Sequence, residues 1–387
     1  MSVSIWAYPW DLQDLGPKIL PQLQSKGIDM VSLATSYHAG RFLQPGNPRR
    51  RVYFPQDGTV YYKLDPAHWR GATIQPLQAD IVATEGDWLD RLIAARAEGG
   101  PAVSAWTVLL HNTRLGMAHP DHALRTAYGD PVPYGLCPSS PAARDYALRL
   151  VQEIAARGPD RIEIESPDFM GFAHGYHHEK DGLPVLPEDE FLLGLCFCDH
   201  CLARAAAVGV NGAAARQVVV NHLDAAFARE FPEAQFPDFP ARREAAFEGH
   251  PALAAWLAWR KEPVISLVRE ICASVTVPVV LIDHEASWWG GVDAAQVGSV
   301  VDGILFCAYH TPQDRIAAVL KASRQTLSPG KPLIAGFLLF HPTVADRHDL
   351  AARMLASGGQ DFAFYNLGLV PPVRLDWVQH GLACIPG

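Results

Sequence analysis

No stretch of this 387-residue chain approaches the roughly 20 uninterrupted apolar positions that a membrane-spanning helix needs, which argues against a membrane protein. Basic runs are equally short. Nothing exceeds Arg49-Arg50-Arg51, the formal net charge is -9 and the pI is near 5.9, so the electrostatic footprint of a nucleic-acid binder is missing. A small uncharged or cationic substrate suits such a chain better. Phosphate cradles are absent as well: Gly99-Gly100-Pro101 and Gly290-Gly291 read as turns, and Gly358-Gly359 precedes a strand, so nucleotide and nicotinamide binding find no support. Met1 to Trp6 enters an apolar strand with no basic region and no small-residue cleavage site, which predicts a cytoplasmic chain. Seven cysteines, an odd number without an export signal, argue against a disulfide framework.

What is present is enough apolar material, 49% of the residues, to bury a large core. Eight apolar runs of strand length alternate with helical patterns: Val3 to Ala7, Met30 to Thr35, Ala102 to Leu110, Arg161 to Glu165, Val279 to Ile282, Gly303 to Ala308, Pro332 to Leu339 and Asp361 to Asn366. Eight is the closing number of a (β/α)8 TIM barrel, so residues 1-387 are expected to form one such α/β domain. Leu15 to Lys26, Gly86 to Glu98 and Pro141 to Arg157 carry helical spacing. Two insertions are expected, one after strand two at 40-80, where Asp57-Gly58 between alternating apolar residues signals a hairpin, and one after strand four at 166-276.

Active sites of this fold sit at the C-terminal ends of the strands. Applied here, that rule selects Trp6, Tyr8 and Trp10, then Tyr37, His38 and Arg41, then His111, Asn112 and Arg114. Strand four ends with Glu163, Glu165 and Asp168, strand five with Asp283-His284-Glu285 before Ser287-Trp288-Trp289, and the last three with Tyr309-His310, His341 and Tyr365-Asn366. Glu163 and Glu165 share parity, so both point into the barrel while Ile162 and Ile164 pack outward. An inward acid is either paired or raised in pKa, and a raised pKa is what a general acid at neutral pH requires. Glycoside hydrolysis needs a second carboxylate, for which Asp283 and Glu285 are the candidates. Sugars stack their CH faces on aromatic rings and offer hydroxyls to polar groups, so Trp6, Tyr37, His38, Arg41, His111, Asn112, Trp288, Tyr309, His310 and Tyr365 are the candidate substrate-binding residues.

Cys196-Phe-Cys198-Asp-His-Cys201 places three thiols within six residues, a spacing that can direct them at one tetrahedral metal. Cys137, His200 and the pair His177-His178 are candidates for the fourth ligand. Taken together, Cys137-Pro138-Ser139-Ser140-Pro141, then Glu163-Ile164-Glu165, then the cysteine cluster resemble the catalytic domain of glycoside hydrolase family 42, bacterial β-galactosidases with a clan A barrel. The resemblance implies a structural zinc on Cys137, Cys196, Cys198 and Cys201, and it implies Glu165 as general acid/base. Two departures accompany it: Ile164 stands where the family has Asn, and Pro332 to His341 offers no carboxylate where the family holds its nucleophile.

The sequence thus points to a glycosidase acting on a small glycoside or oligosaccharide. Two other classes stay open: a lyase or isomerase using His111, His284, Glu285 and His310 around a divalent metal, and a carbohydrate-binding barrel without catalysis. A homo-oligomer stays open as a further partner arrangement.

Overall fold

The structure is a computed structural model, and it describes residues 1–174, 179–180, 182–359 and 361–386. Eight parallel strands close into a barrel, numbered here in chain order: Val3–Ala7, Met30–Tyr37, Ala102–Val108, Arg161–Glu165, Val279–Asp283, Gly303–Cys307, Leu333–Leu338 and Asp361–Tyr365. Closure is made where strand one pairs both with strand eight, Val3 opposite Phe362, and with strand two, Ser4 opposite Met30.

Period-two alternation divides the strand residues between two cores. Ile5, Leu33, Ala105, Ile162, Ile164, Leu281, Ile304 and Phe362 face outward into the layer shared with the helices. Trp6, Ala34, Trp106, Val280, Leu305, Ile334 and Ala363 form a separate inner cluster. Arg161, Glu163 and Glu165 have the inward parity in strand four, so this strand brings charge into an interior whose other strands contribute apolar side chains and the buried hydroxyls of Ser4, Ser32 and Ser104. Among the described residues no helix is long and apolar enough to cross a membrane.

Local signals set several of the helix starts. Ser140 caps Pro141–Ala155 by accepting from the Ala143 N–H, and Asp87 caps Trp88–Ala97 through Leu89 and Asp90. Of the expected helix over Leu15 to Lys26, Ile19–Ser25 is helical, and a separate short helix, Pro9–Leu15, precedes it. Gly16 terminates that preceding helix in the positive-φ region at 77°, and Pro17 prevents its continuation.

The 40-80 segment also departs from expectation, because Val52–Tyr53 and Thr59–Val60 do not pair across Asp57-Gly58. Val52–Tyr53 pairs with Phe42–Leu43, while Thr59–Val60 adds antiparallel to Ser36 and Tyr37. The cause is the extra length of strand two, which runs to Tyr37 and presents an edge that captures Thr59–Val60. Beyond strand four, the chain forms the helices Pro187–Leu193, Asp199–Ala206, Gly212–Ala228, Pro251–Trp259 and Lys261–Ser274 before it returns to strand five.

Candidate active site

At the C-terminal end of the strands lies a cavity of about 960 Å3. Trp6, Tyr37, Trp106, Tyr309 and Tyr365 form its aromatic floor, and the turn after strand four, Ser166 to Met170, forms one wall. His284 to Ser287, Trp289 and Gly290 form another wall, with His310 and Phe340 at the rim. The floor rings lie against one another, Trp6 being 5.5 Å from Trp106 and 5.3 Å from Tyr365, and the Tyr8 and Tyr365 hydroxyls are 2.9 Å apart.

The two inward glutamates have different surroundings. Glu163 is fully buried below the cavity, held by Arg161 Nη2 at 2.6 Å and Nε at 3.0 Å, by the Trp6 indole N–H at 2.8 Å and by the Ser32 hydroxyl at 3.0 Å. Its oxygens are occupied, and it is absent from the cavity lining. Glu165 lines the cavity, and its Oε2 accepts the Trp106 indole N–H at 2.5 Å. Burial pushes the Glu165 carboxyl above the ordinary range, the Trp106 hydrogen bond opposes this, and the nearby Glu163 charge adds to it.

Of the sequence's second-carboxylate candidates, Asp283 is buried outside the lining, accepting from the His284 N–H at 2.9 Å. Glu285 reaches the rim, where it is exposed and pairs with Arg315 at 2.8 Å. Asp168 was visible at the end of strand four but not chosen as a candidate. It lines the cavity, and burial pushes its carboxyl up to about 7.

The candidate binding residues divide similarly. Trp6, Tyr37, Tyr309, His310 and Tyr365 reach the cavity. Trp288 does not; it packs on Phe191 and Phe239 and under Arg243, while the adjacent Trp289 supplies the wall. Asn112 is a helix cap, accepting from the Leu115 N–H at 2.9 Å and donating to the Gly58 carbonyl at 3.2 Å. Arg41 is exposed on its loop and outside the lining. His38 stacks on His111 at 4.0 Å and His174 meets His111 edge-on at 4.2 Å, and of the three only His174 lines the cavity. Burial lowers His38 to about 4 and His111 to about 2, so both rings are neutral near pH 7. His174 was missed in the sequence because it lies on a short turn, Phe172–His174, whose position depends on the inserted helices.

Two groups of buried side chains among the described residues have donor atoms close enough to hold a metal ion. One is Cys137, Cys196, Cys198 and Cys201, whose sulfurs lie 3.4 Å (Cys137 to Cys201), 3.5 Å (Cys137 to Cys198) and 4.0 Å (Cys137 to Cys196) apart. Four sulfurs about 2.3 Å from a tetrahedral ion would stand roughly 3.8 Å apart, so this donor set fits a metal. Hydrogen bonds from its three neighbours hold Cys198 far below the usual thiol range, whereas burial pushes Cys137 and Cys201 up. His200 stacks on His122 at 5.5 Å, and His177 and His178 lie outside the described residues. The other group is Glu188, Asp189 and His222, in which His222 bonds Asp189 at 2.9 Å and Glu188 accepts the Gln235 N–H at 2.7 Å. His111, His284, Glu285 and His310 do not form such a group among the described residues.

No family model matches the chain, and no curated protein matches it. The resemblance to glycoside hydrolase family 42 therefore stands on its residues alone. Among solved structures, the chain matches the alpha-galactosidase TtGalA from Thermus thermophilus at 12% identity and TM-score 0.44, over 99% of this chain and 61% of that one. It matches the glycoside hydrolase domain of PelA from Pseudomonas aeruginosa at 12% identity and TM-score 0.42, over 95% and 96% of the two chains. With alpha-L-fucosidase isoenzyme 2 from Paenibacillus thiaminolyticus it shares 12% identity at TM-score 0.54, over 99% of this chain and 49% of that one. The chain thus spans about half the length of that fucosidase, and what the two have in common is the (β/α)8 barrel.

Proposed function

We propose that this protein is a glycoside hydrolase that cleaves an O-glycosidic bond in a glycoside or oligosaccharide, with Glu165 as a catalytic carboxylate. The observation that carries this reading is the placement of Glu165 at an aromatic-floored cavity of about 960 Å3, in the position where this fold keeps its chemistry. Rings such as Trp6, Tyr309 and Trp289 offer the faces on which sugar CH groups stack. The barrel shared with a fucosidase agrees with it at the level of fold.

A panel of aryl glycosides tests the reading by release of the phenol. Glu165→Gln should lower kcat by ~100-fold or more, the scale expected when a positioned proton-transfer or nucleophilic group is lost. Retained activity in a folded variant would remove Glu165 from the reaction. We also propose zinc as the metal of the four-cysteine site, because an all-thiolate set suits it, and a structural role, because four protein ligands leave no open position. Cys137, Cys196, Cys198 and Cys201 would hold the ion.

A further inference from the structure

The turn after strand four carries a second acid into the same cavity. Ser166 adopts the left-handed backbone conformation at φ 53°, a strained state for a serine that costs on the order of 1 kcal/mol. The turn is tied to the end of strand three, since the Glu165 and Ser166 carbonyls accept from the Leu109 and Leu110 N–H groups at 2.9 and 3.0 Å. The opposite wall makes room for Asp168: a Cβ on Gly290 would stand 1.9 Å from Asp168 Oδ2, so only glycine tolerates the carboxylate there. Gly290 O also accepts the Phe169 N–H at 3.0 Å, which fixes this close approach.

The two acids differ in their hydrogen bonds. Glu165 Oε2 takes the Trp106 N–H, which favours the ionised form, and Oε1 accepts no hydrogen bond among the described residues. No hydrogen bond from another described residue reaches the Asp168 carboxyl to favour its charge. Burial, with Asp283 and Glu165 adding to it, outweighs the opposing pull of its own N–H and of Arg260. Burial raises both carboxyls, and of the two only Glu165 has an N–H from another described residue to hold its charge, so the shared cavity favours the proton on Asp168 and the charge on Glu165.

Resting on the hydrolase reading above, we propose that Asp168 is the proton donor of the reaction and Glu165 its nucleophile, in place of Asp283 or Glu285 as the second carboxylate. Glu165 Oε1 forms a bond to the anomeric carbon as the bond from that carbon to the leaving oxygen breaks. The electron pair of the broken bond stays on the leaving oxygen, which takes the Asp168 proton. Water then attacks the anomeric carbon of the glycosyl ester and gives one proton to the Asp168 carboxylate. The Glu165–carbon bond breaks with its electrons returning to the glutamate, and the sugar keeps its anomeric configuration.

The test uses two substrates with the same sugar, a phenyl glycoside and a 2,4-dinitrophenyl glycoside, whose leaving group needs no proton. In kcat/KM, which reports the first step alone, Asp168→Asn should lose ~100-fold on the phenyl substrate and less than ~10-fold on the dinitrophenyl one, while Glu165→Gln should lose ~100-fold or more on both. If a folded Asp168→Asn keeps wild-type kcat/KM on both, or loses equally in kcat/KM on both, Asp168 is not the proton donor and the hydrolase reading is untouched. The opposite pattern, with leaving-group dependence in Glu165→Gln alone, overturns the division of roles. A wild type that hydrolyses no aryl glycoside overturns the hydrolase reading itself. Independently of any variant, wild-type kcat/KM on the phenyl substrate should fall as pH rises above about 7, and a rate that stays flat far into the alkaline range overturns the proton-donor role.

Discussion

Replacing Arg161 by Met would leave the Glu163 carboxyl inside the barrel without its cation. The side chains of this pair are 11% and 0% exposed, and the guanidinium also donates to Ser4 and Ser104 at 3.2 Å. After the substitution only the Trp6 N–H and the Ser32 hydroxyl would remain as donors to the carboxylate. Removing one member of a buried pair costs ~3–5 kcal/mol. With an unfolding entropy of roughly 2.1 cal/mol/K per residue, about 0.8 kcal/mol/K for a chain of this length, the melting temperature should fall by ~4–6 °C. Differential scanning calorimetry at fixed excess zinc measures this without confusing it with metal loss. Combining Arg161→Met with Glu163→Leu should restore most of the loss, because leucine matches the inner-layer Val280, Leu305 and Ile334 and no charge is then buried. A single variant that melts within about 1 °C of wild type, or a double variant no better than the single, would refute the argument.

Asp168 also predicts a sign in the pH dependence of stability. Its folded value of about 7 lies above its ordinary 3.8, so the native state holds this proton more tightly and loses stability as pH rises through that window. Asp168→Asn does not titrate, so its melting temperature should gain on wild type from pH 4 toward neutrality, and a constant difference would count against the environment described. Elemental analysis should find one zinc per chain, and Cys198→Ser should lower thermal stability more than it alters substrate preference. Both Trp288→Ala and Trp289→Ala should cost about 1–3 kcal/mol of stability by losing their packing on Phe191 and Phe239, and only Trp289→Ala should also raise KM. Asn112→Ala should lose ~0.5–2 kcal/mol by removing a helix cap, measured by thermal unfolding, and leave substrate affinity unchanged.

Strand positions were readable because alternation is a local property: the inward parity of Glu163 and Glu165 follows from their spacing, and the structure has both acids facing tryptophan N–H groups. Which acid meets the cavity was not readable, since it depends on Arg161 folding back onto its own strand neighbour. Asp57-Gly58 shows the limit for turns: a strong hairpin signal loses to a longer strand two that offers a better edge. Trp288 and Trp289 are adjacent in sequence and both pack on Phe191 and Phe239, far along the inserted segment, yet Trp289 also lines the cavity while Trp288 lies under Arg243. The gathering of Cys137 with the other three thiols bridges 64 residues and is invisible to spacing alone; the family resemblance implied it.

That 64-residue span has a consequence for the cavity. Glu165, the wall from Ser166 to Met170, His174 and Glu190 all lie between Cys137 and Cys196 in the chain. An ion joining the thiols would close this segment into a loop and remove much of the backbone freedom it has when open. The cavity wall would then be ordered by an ion held outside the cavity, and the folded fraction of the protein would track the supply of that metal.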